Sequence, residues 1–134
     1  MNNQTTTKTN RQTKQITDIK WGDILFINFG DAYGSEQGGI RPALVVQNNV
    51  GNTYSPTTIV CAVTSQHKKA LPTHLEITPS ESGLSENSFI LFEQIRTIDK
   101  SRVIKKVGNI SQILKENIQK CLMFSLSSEL SVKH

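Results

Sequence analysis

The segment Thr57–Val63 (TTIVCAV) runs for seven residues without a charge, a glycine or a proline. It is too short for a typical helix, and a run of this kind predicts a strand buried on both faces. A strand covered on both sides lies inside a sheet, so the rest of the chain must supply its neighbours. Candidates are at hand. Ile24–Phe29 follows Gly22-Asp23 and ends at Gly30, and Arg41–Asn48 is strand-like after its first two residues. Thr73–Ile77 alternates apolar with polar, Ser88–Ile95 does not, and Arg102–Val107 is a weaker sixth segment ended by Gly108-Asn109. Between them the chain is punctuated as turns require. Residues 30–40 hold four glycines, Asn49–Pro56 is turn-rich, and Pro79–Glu86 reads as a turn with a short helical piece.

The last element differs in period. Ile110, Leu114, Ile118, Cys121, Leu122 and Leu126 recur at helical spacing, with Ser111 as the expected N-cap and Lys115, Glu116, Gln119 and Lys120 on the opposite side. Short strands followed by one amphipathic helix predict a mainly β domain: a small, curled antiparallel sheet or open barrel with a C-terminal helix. At 134 residues and 14.9 kDa the chain has room for one such domain. We place it at 19–130, with a polar, disordered tail at 1–18 whose only large apolar residues are Met1 and Ile16, and a short tail at 131–134.

The net charge of +4 is concentrated at the start. Residues 1–20 carry Lys8, Arg11, Lys14 and Lys20 against Asp18, while the remaining 114 residues hold 11 basic and 10 acidic side chains. Charge alone is therefore weak support for nucleic-acid binding. No apolar run approaches the ~20 residues that span a bilayer, and the N-terminus lacks the apolar core of a secretory signal. Cys61 and Cys121 each sit in an apolar run with no zinc-type spacing, which predicts buried, reduced thiols and a cytoplasmic protein.

Several kinds of chemistry leave no trace. The chain has no phosphate-loop, zinc-protease or nucleophile-elbow motif and no carboxylates at metal-ligand spacing, so neither a metal nor a cofactor is expected. His67, His74 and His134 are scattered, and a histidine pair would require His67 and His74 to converge. Two places stand out. Arg41 is the one arginine between positions 12 and 95, and it follows a glycine loop directly before Pro42, which biases it towards extended backbone. It either pins the loop by pairing with Asp23, Asp31 or Glu36, or it serves a ligand. The buried strand also delivers Thr64, Ser65 and Gln66 to its rim beside His67, Lys68 and Lys69.

These segments carry a resemblance. Gly34-Ser35-Glu36-Gln37-Gly38-Gly39-Ile40-Arg41-Pro42-Ala43-Leu44-Val45-Val46-Gln47-Asn48 resembles the signature of the MazF/PemK (Kid) family of toxin endoribonucleases. Gly22-Asp23-Ile24, Ser55-Pro56-Thr57, Val63-Thr64-Ser65-Gln66, Leu71-Pro72-Thr73-His74 and Leu91–Lys100 (LFEQIRTIDK) fit the same family, in order, from about Trp21 to Leu126. The resemblance implies an SH3-like, CcdB-like antiparallel β-barrel with a C-terminal helix. It also implies a homodimer that cuts single-stranded RNA without a metal or cofactor. The family's catalytic arginine and threonine fall on Arg41 and Thr64. Ser35, Glu36, Gln37, Ser65, Gln66 and Gln94 become candidates for reading unstacked bases, and Lys68 for holding a flanking phosphate. A MazE-like antitoxin would be the protein partner, and neither a membrane nor DNA is expected for the toxin alone. Two other readings stay open: a barrel that binds RNA or peptide without cutting, and a CcdB-type gyrase poison.

Overall fold

The computed structural model describes residues 18–31, 38–66 and 71–128. Most of the expected N-terminal tail and all of the C-terminal one lie outside these residues. Within them, β1 (Asp23–Asn28), β2 (Ile40–Val45), β3 (Thr57–Thr64), β4 (His74–Ile77), β5 (Ser88–Asp99) and β6 (Val103–Asn109) form one antiparallel sheet in the order β4-β5-β3-β2-β1-β6. Helices α1 (Asn49–Tyr54), α2 (Pro79–Ser82) and α3 (Ser111–Leu126) and a 3-10 turn at Lys100–Arg102 complete the described fold. None of these helices is long and apolar enough to cross a membrane.

The uninterrupted run that predicts a central strand is β3, which lies between β2 and β5. Its residues alternate between two cores, as the two-residue period of a strand requires. Cys61 and Val63 pack with Ile24, Leu44, Ile90 and Phe92 and with Ile118 and Cys121 of α3. Val60, on the other side, packs with Ile19, Leu25, Ile27, Val45, Ile98 and Val103. The central strands therefore carry apolar residues at consecutive positions.

β5 is four residues longer than its sequence pattern indicates, and the reason is a break in register. Ala62 pairs with Leu91, yet Cys61 pairs with Ile95, so Phe92, Glu93 and Gln94 bulge out of the ladder. A bulge resets which residues face the core, so Ser88–Ile95 shows no clean alternation. The bulge also bends the sheet. β4 pairs with the half of β5 before it, while the half after it pairs with the start of β3.

The two outer strands, β4 and β6, do not hydrogen-bond to each other. The curl is closed instead by the turn after α2, which lies against β6 backbone to backbone. A Cβ on Gly83 would stand 2.2 Å from the carbonyl oxygen of Val107, and one on Gly108 would stand 2.2 Å from that of Ser82. Gly83 also ends α2 in the left-handed conformation, φ 84°. Only residues without a side chain allow this approach.

Three local expectations are corrected. Asn49–Pro56 is helical over Asn49–Tyr54 despite its turn-like composition. Asn48 caps it by accepting from the Gly51 amide at 2.8 Å. The buried Asn52 ties it down, accepting from Thr58 Oγ1 at 2.7 Å and from Gln47 Nε2 at 3.1 Å and donating to the Gln47 carbonyl at 2.9 Å. Ser111 is the first helical residue of α3 rather than its cap, and its amide donates to Asn109 Oδ1 at 2.8 Å. Leu126 keeps the helical spacing but is exposed, since α3 there extends past the core formed by Ile110, Ile118 and Cys121.

Asp23 fastens the start of the domain. Its carboxylate is buried and accepts from the Lys20 amide at 2.8 Å and Asn109 Nδ2 at 2.8 Å, with Lys106 Nζ at 3.0 Å. Lys106 donates in addition to the Asp18 carbonyl at 2.7 Å, so segment 18–20 is laced to β6 with Ile19 buried beneath it. Asp23→Ala leaves these donors without their acceptor and is expected to cost about 2–4 kcal/mol. Urea unfolding of the variant would show it as a lower midpoint with an unchanged slope.

Candidate active site

β2 begins at Ile40, so Arg41 and Pro42 belong to the strand rather than to the loop before it. Phe29 and Gly39 close the base of that loop, the Phe29 amide donating to the Gly39 carbonyl at 2.9 Å and the Gly39 amide to that of Gly30 at 2.7 Å. β2 pairs with β1 from Ile40 to Leu44, through Phe26↔Pro42 and Ile27↔Arg41. Its ladder with β3 stops at Ala43↔Ala62, just short of Pro42. Proline has no N–H to give a ladder, which suits it to such an end. Arg41 and Thr64 lie just beyond that end of the ladder, on neighbouring strands.

Both residues line a cleft of about 440 Å³ at this end of the sheet. Phe26, Pro42, Val63, Leu84 and Val107 form its apolar wall, and Ser65, Ser85, Glu86, Ser88 and Lys105 supply polar groups. Arg41 is half-buried, and its Nε donates to the Gly38 carbonyl at 2.9 Å. Its two terminal amino groups have no partner among the described residues. Asp23, one of the carboxylates it was expected to pair with, is engaged by Lys106 and Asn109 instead. Thr64 is buried, and its Oγ1 accepts from the Gln66 amide at 3.2 Å. That bond fixes the oxygen and leaves the hydroxyl hydrogen available. The rim thus presents a guanidinium fork beside a hydroxyl donor, a pair suited to the oxygens of a phosphodiester.

Residues 20–126 match the family model described as "PemK-like, MazF-like toxin of type II toxin-antitoxin system". The chain belongs to this toxin family. Endoribonuclease EndoA of Bacillus subtilis (strain 168) is 46% identical over 110 residues, covering 81% of this chain and 95% of EndoA. A MazE–MazF structure from Deinococcus radiodurans is 28% identical, covers 83% of this chain and 97% of that one, and superposes with a TM-score of 0.62. An endoribonuclease in complex with its cognate antitoxin, from a mycobacterial species, shares 20% identity and a TM-score of 0.69 over 84% of this chain and 99% of its own. At that identity the likeness is one of fold. The mainly β architecture with a C-terminal helix is thus that of MazF-like toxins.

In this MazF-like toxin the expected site residues fall into three groups. Arg41, Thr64 and Ser65 line the cleft. Gln66 stands next to it, holding Thr64 through its amide, whereas Gln94 sits half-buried in the β5 bulge and is not part of the lining. Ser35, Glu36, Gln37 and Lys68 lie outside the described residues, as does His67. Sequence reasoning missed Phe26, Ser85, Glu86 and Lys105. For Phe26 and Lys105 the available signal was strand pairing, which sets Phe26 between Pro42 and Lys105; Ser85 and Glu86, in the turn after α2, carried none.

His74 does not reach the cleft. It clamps the bulge instead, its Nε2 lying 3.1 Å from Glu93 Oε2, while Thr73 Oγ1 donates to Glu93 Oε1 at 3.0 Å. Burial works to raise the Glu93 carboxyl. The hydrogen bonds from His74, its own backbone and Thr73, with the charge of His74, outweigh this and hold it below the usual carboxylate range. A depressed folded value stabilises the fold above the ordinary carboxylate pKa, and the gain is lost as pH falls through the folded value. Glu93→Gln is therefore expected to flatten the acid side of the stability curve. Melting temperature followed from pH 7 downward in both proteins checks it. Behind the bulge Cys61 is fully buried, and that burial, with the Glu93 charge, pushes its thiol up to about 12. Neither Cys61 nor Cys121 forms a disulfide.

Proposed function

We propose that this MazF-like toxin is a sequence-specific, metal-independent endoribonuclease that cuts single-stranded RNA at the cleft holding Arg41 and Thr64. The observation that supports the reading is that Arg41 and Thr64, from neighbouring strands, line one cleft beside the end of the β2–β3 ladder. RNA contains its own nucleophile, so the protein needs neither a catalytic serine nor an activated water. The 2′-oxygen attacks phosphorus and forms the O2′–P bond, and the P–O5′ bond breaks. The 2′-proton departs and the 5′-oxygen takes one up, leaving a 2′,3′-cyclic phosphate and a 5′-hydroxyl. Arg41 clamps two phosphoryl oxygens and neutralises the charge that builds there, and Thr64 donates its hydroxyl to the same oxygens. Arginine's pKa above about 12 makes it a poor proton acceptor, so electrostatic stabilisation is its first role.

Ser65 and Gln66, with Ser35, Glu36, Gln37 and Gln94, have the donors and acceptors to read base edges, and Lys68 holds a flanking phosphate. The toxin acts as a homodimer in the cytoplasm, and a MazE-like antitoxin inhibits it by laying an acidic segment across the RNA cleft. The antitoxin complexes of the Deinococcus and mycobacterial relatives support that partner. The test is incubation of a long RNA with the purified protein in excess EDTA, followed by mass spectrometry of the new ends. Cyclic-phosphate ends at one recurring sequence are expected. Intact RNA would overturn the reading and turn attention to DNA gyrase and to peptide binding.

A further inference from the structure

We propose that Lys105 is a second RNA-binding residue of the cleft, holding a phosphate next to the one that is cut. The inference rests on the ribonuclease reading and adds a contact to it. β6 carries two adjacent lysines whose surroundings differ. Lys106 is committed to the fold through Asp23 and the Asp18 carbonyl. Lys105 is exposed, lines the cleft, and pairs with no carboxylate among the described residues. Glu86 lines the same cleft without forming an ion pair with it.

What holds Lys105 is an aromatic ring. Its Nζ stands 5.4 Å from the centroid of Phe26, its partner in the β1–β6 ladder. An exposed cation–π contact is a weak attraction. That is enough to bias the side chain over the cleft but too little to compete with a phosphate. Phe26 therefore acts as a positioning residue, and Lys105 makes the contact.

The strand order places that contact. Lys105, Phe26 and Pro42 form one row across β6, β1 and β2, and Arg41, which precedes Pro42 in β2, lines the same cleft as all three. Two strand spacings, roughly 9.5 Å, separate the backbones of β6 and β2. With Arg41 holding the scissile phosphate, the Lys105 ammonium falls on a neighbouring one. A contact made equally in the bound and transition states lowers KM and leaves kcat unchanged.

The test compares wild type, Lys105→Gln and Lys115→Gln. Lys115 is an exposed lysine on α3 outside the cleft, so its replacement removes the same charge elsewhere. The probe is single-stranded RNA carrying the mapped cleavage sequence with a 2′-deoxy nucleotide at the cut site. Its affinity is measured against salt concentration. Losing one phosphate contact is expected to reduce the slope of log K against log salt by about 0.7 in Lys105→Gln, with no change in Lys115→Gln. On cleavable RNA, Lys105→Gln should raise KM severalfold at constant kcat. An unchanged slope in Lys105→Gln, or equal losses in both variants, overturns the inference and leaves the ribonuclease reading standing. Absence of RNA binding and cutting by wild type overturns both.

Discussion

Arg41→Lys is expected to lower single-turnover RNA cleavage by a factor of about 10²–10³ while the protein stays folded. The variant keeps the positive charge, so it tests shape rather than charge. Nε of Arg41 is tied to the Gly38 carbonyl, and this tether leaves the two terminal amino groups as a fixed fork. A lysine ammonium is a point charge on a flexible stem and cannot bind two phosphoryl oxygens in that plane. Losing the bond to Gly38 removes about 1 kcal/mol of stability at most. A thermal melt of the variant therefore separates damage to chemistry from damage to folding. Full activity in Arg41→Lys would remove the fork from the mechanism. Arg41→Ala, which removes the charge too, should be slower still.

A second large effect, on stability rather than on chemistry, is expected at Gly83. Gly83→Ala forces a side chain onto a left-handed residue and drives its Cβ to 2.2 Å from the Val107 carbonyl oxygen. Strain of the first kind costs of order 1–3 kcal/mol, and pushing one backbone off another adds to it, for about 2–4 kcal/mol in all. Gly108→Ala isolates the second contribution, because its own backbone is not left-handed while its Cβ would meet the Ser82 carbonyl oxygen at the same 2.2 Å. We expect it to cost about 1–3 kcal/mol. Chemical denaturation of both variants checks the order. If Gly108→Ala were neutral, the backbone approach could not be what closes the sheet.

How much of this is visible in the sequence depends on whether an element is made by local pattern or by distant contact. β3 is legible because both its faces are buried, which leaves an unbroken run with no charge. α3 is legible through Ile110, Ile118 and Cys121 at helical spacing. The bulge at Phe92–Gln94 is not, because β3 imposes it through register. α1 escapes notice because asparagine side chains hold it together rather than helix propensity. At the site, Arg41 and Thr64 stand out as a lone arginine and a strand-end hydroxyl, and family resemblance singles them out. Lys105 carries no signal, since an exposed lysine in a weak strand looks like any other until pairing sets it over Phe26.

The strand order also governs when the enzyme comes into being. Arg41 and Thr64 belong to neighbouring strands close in sequence, but β1 finds its other partner, β6, some eighty residues later. The far wall of the cleft, Lys105 and Val107, is among the last parts of the domain to be synthesised. A growing chain therefore carries Arg41 and Thr64 long before it has the whole groove that they line, and contacts this distant form late in folding. Chains halted before Val103 should leave RNA uncut.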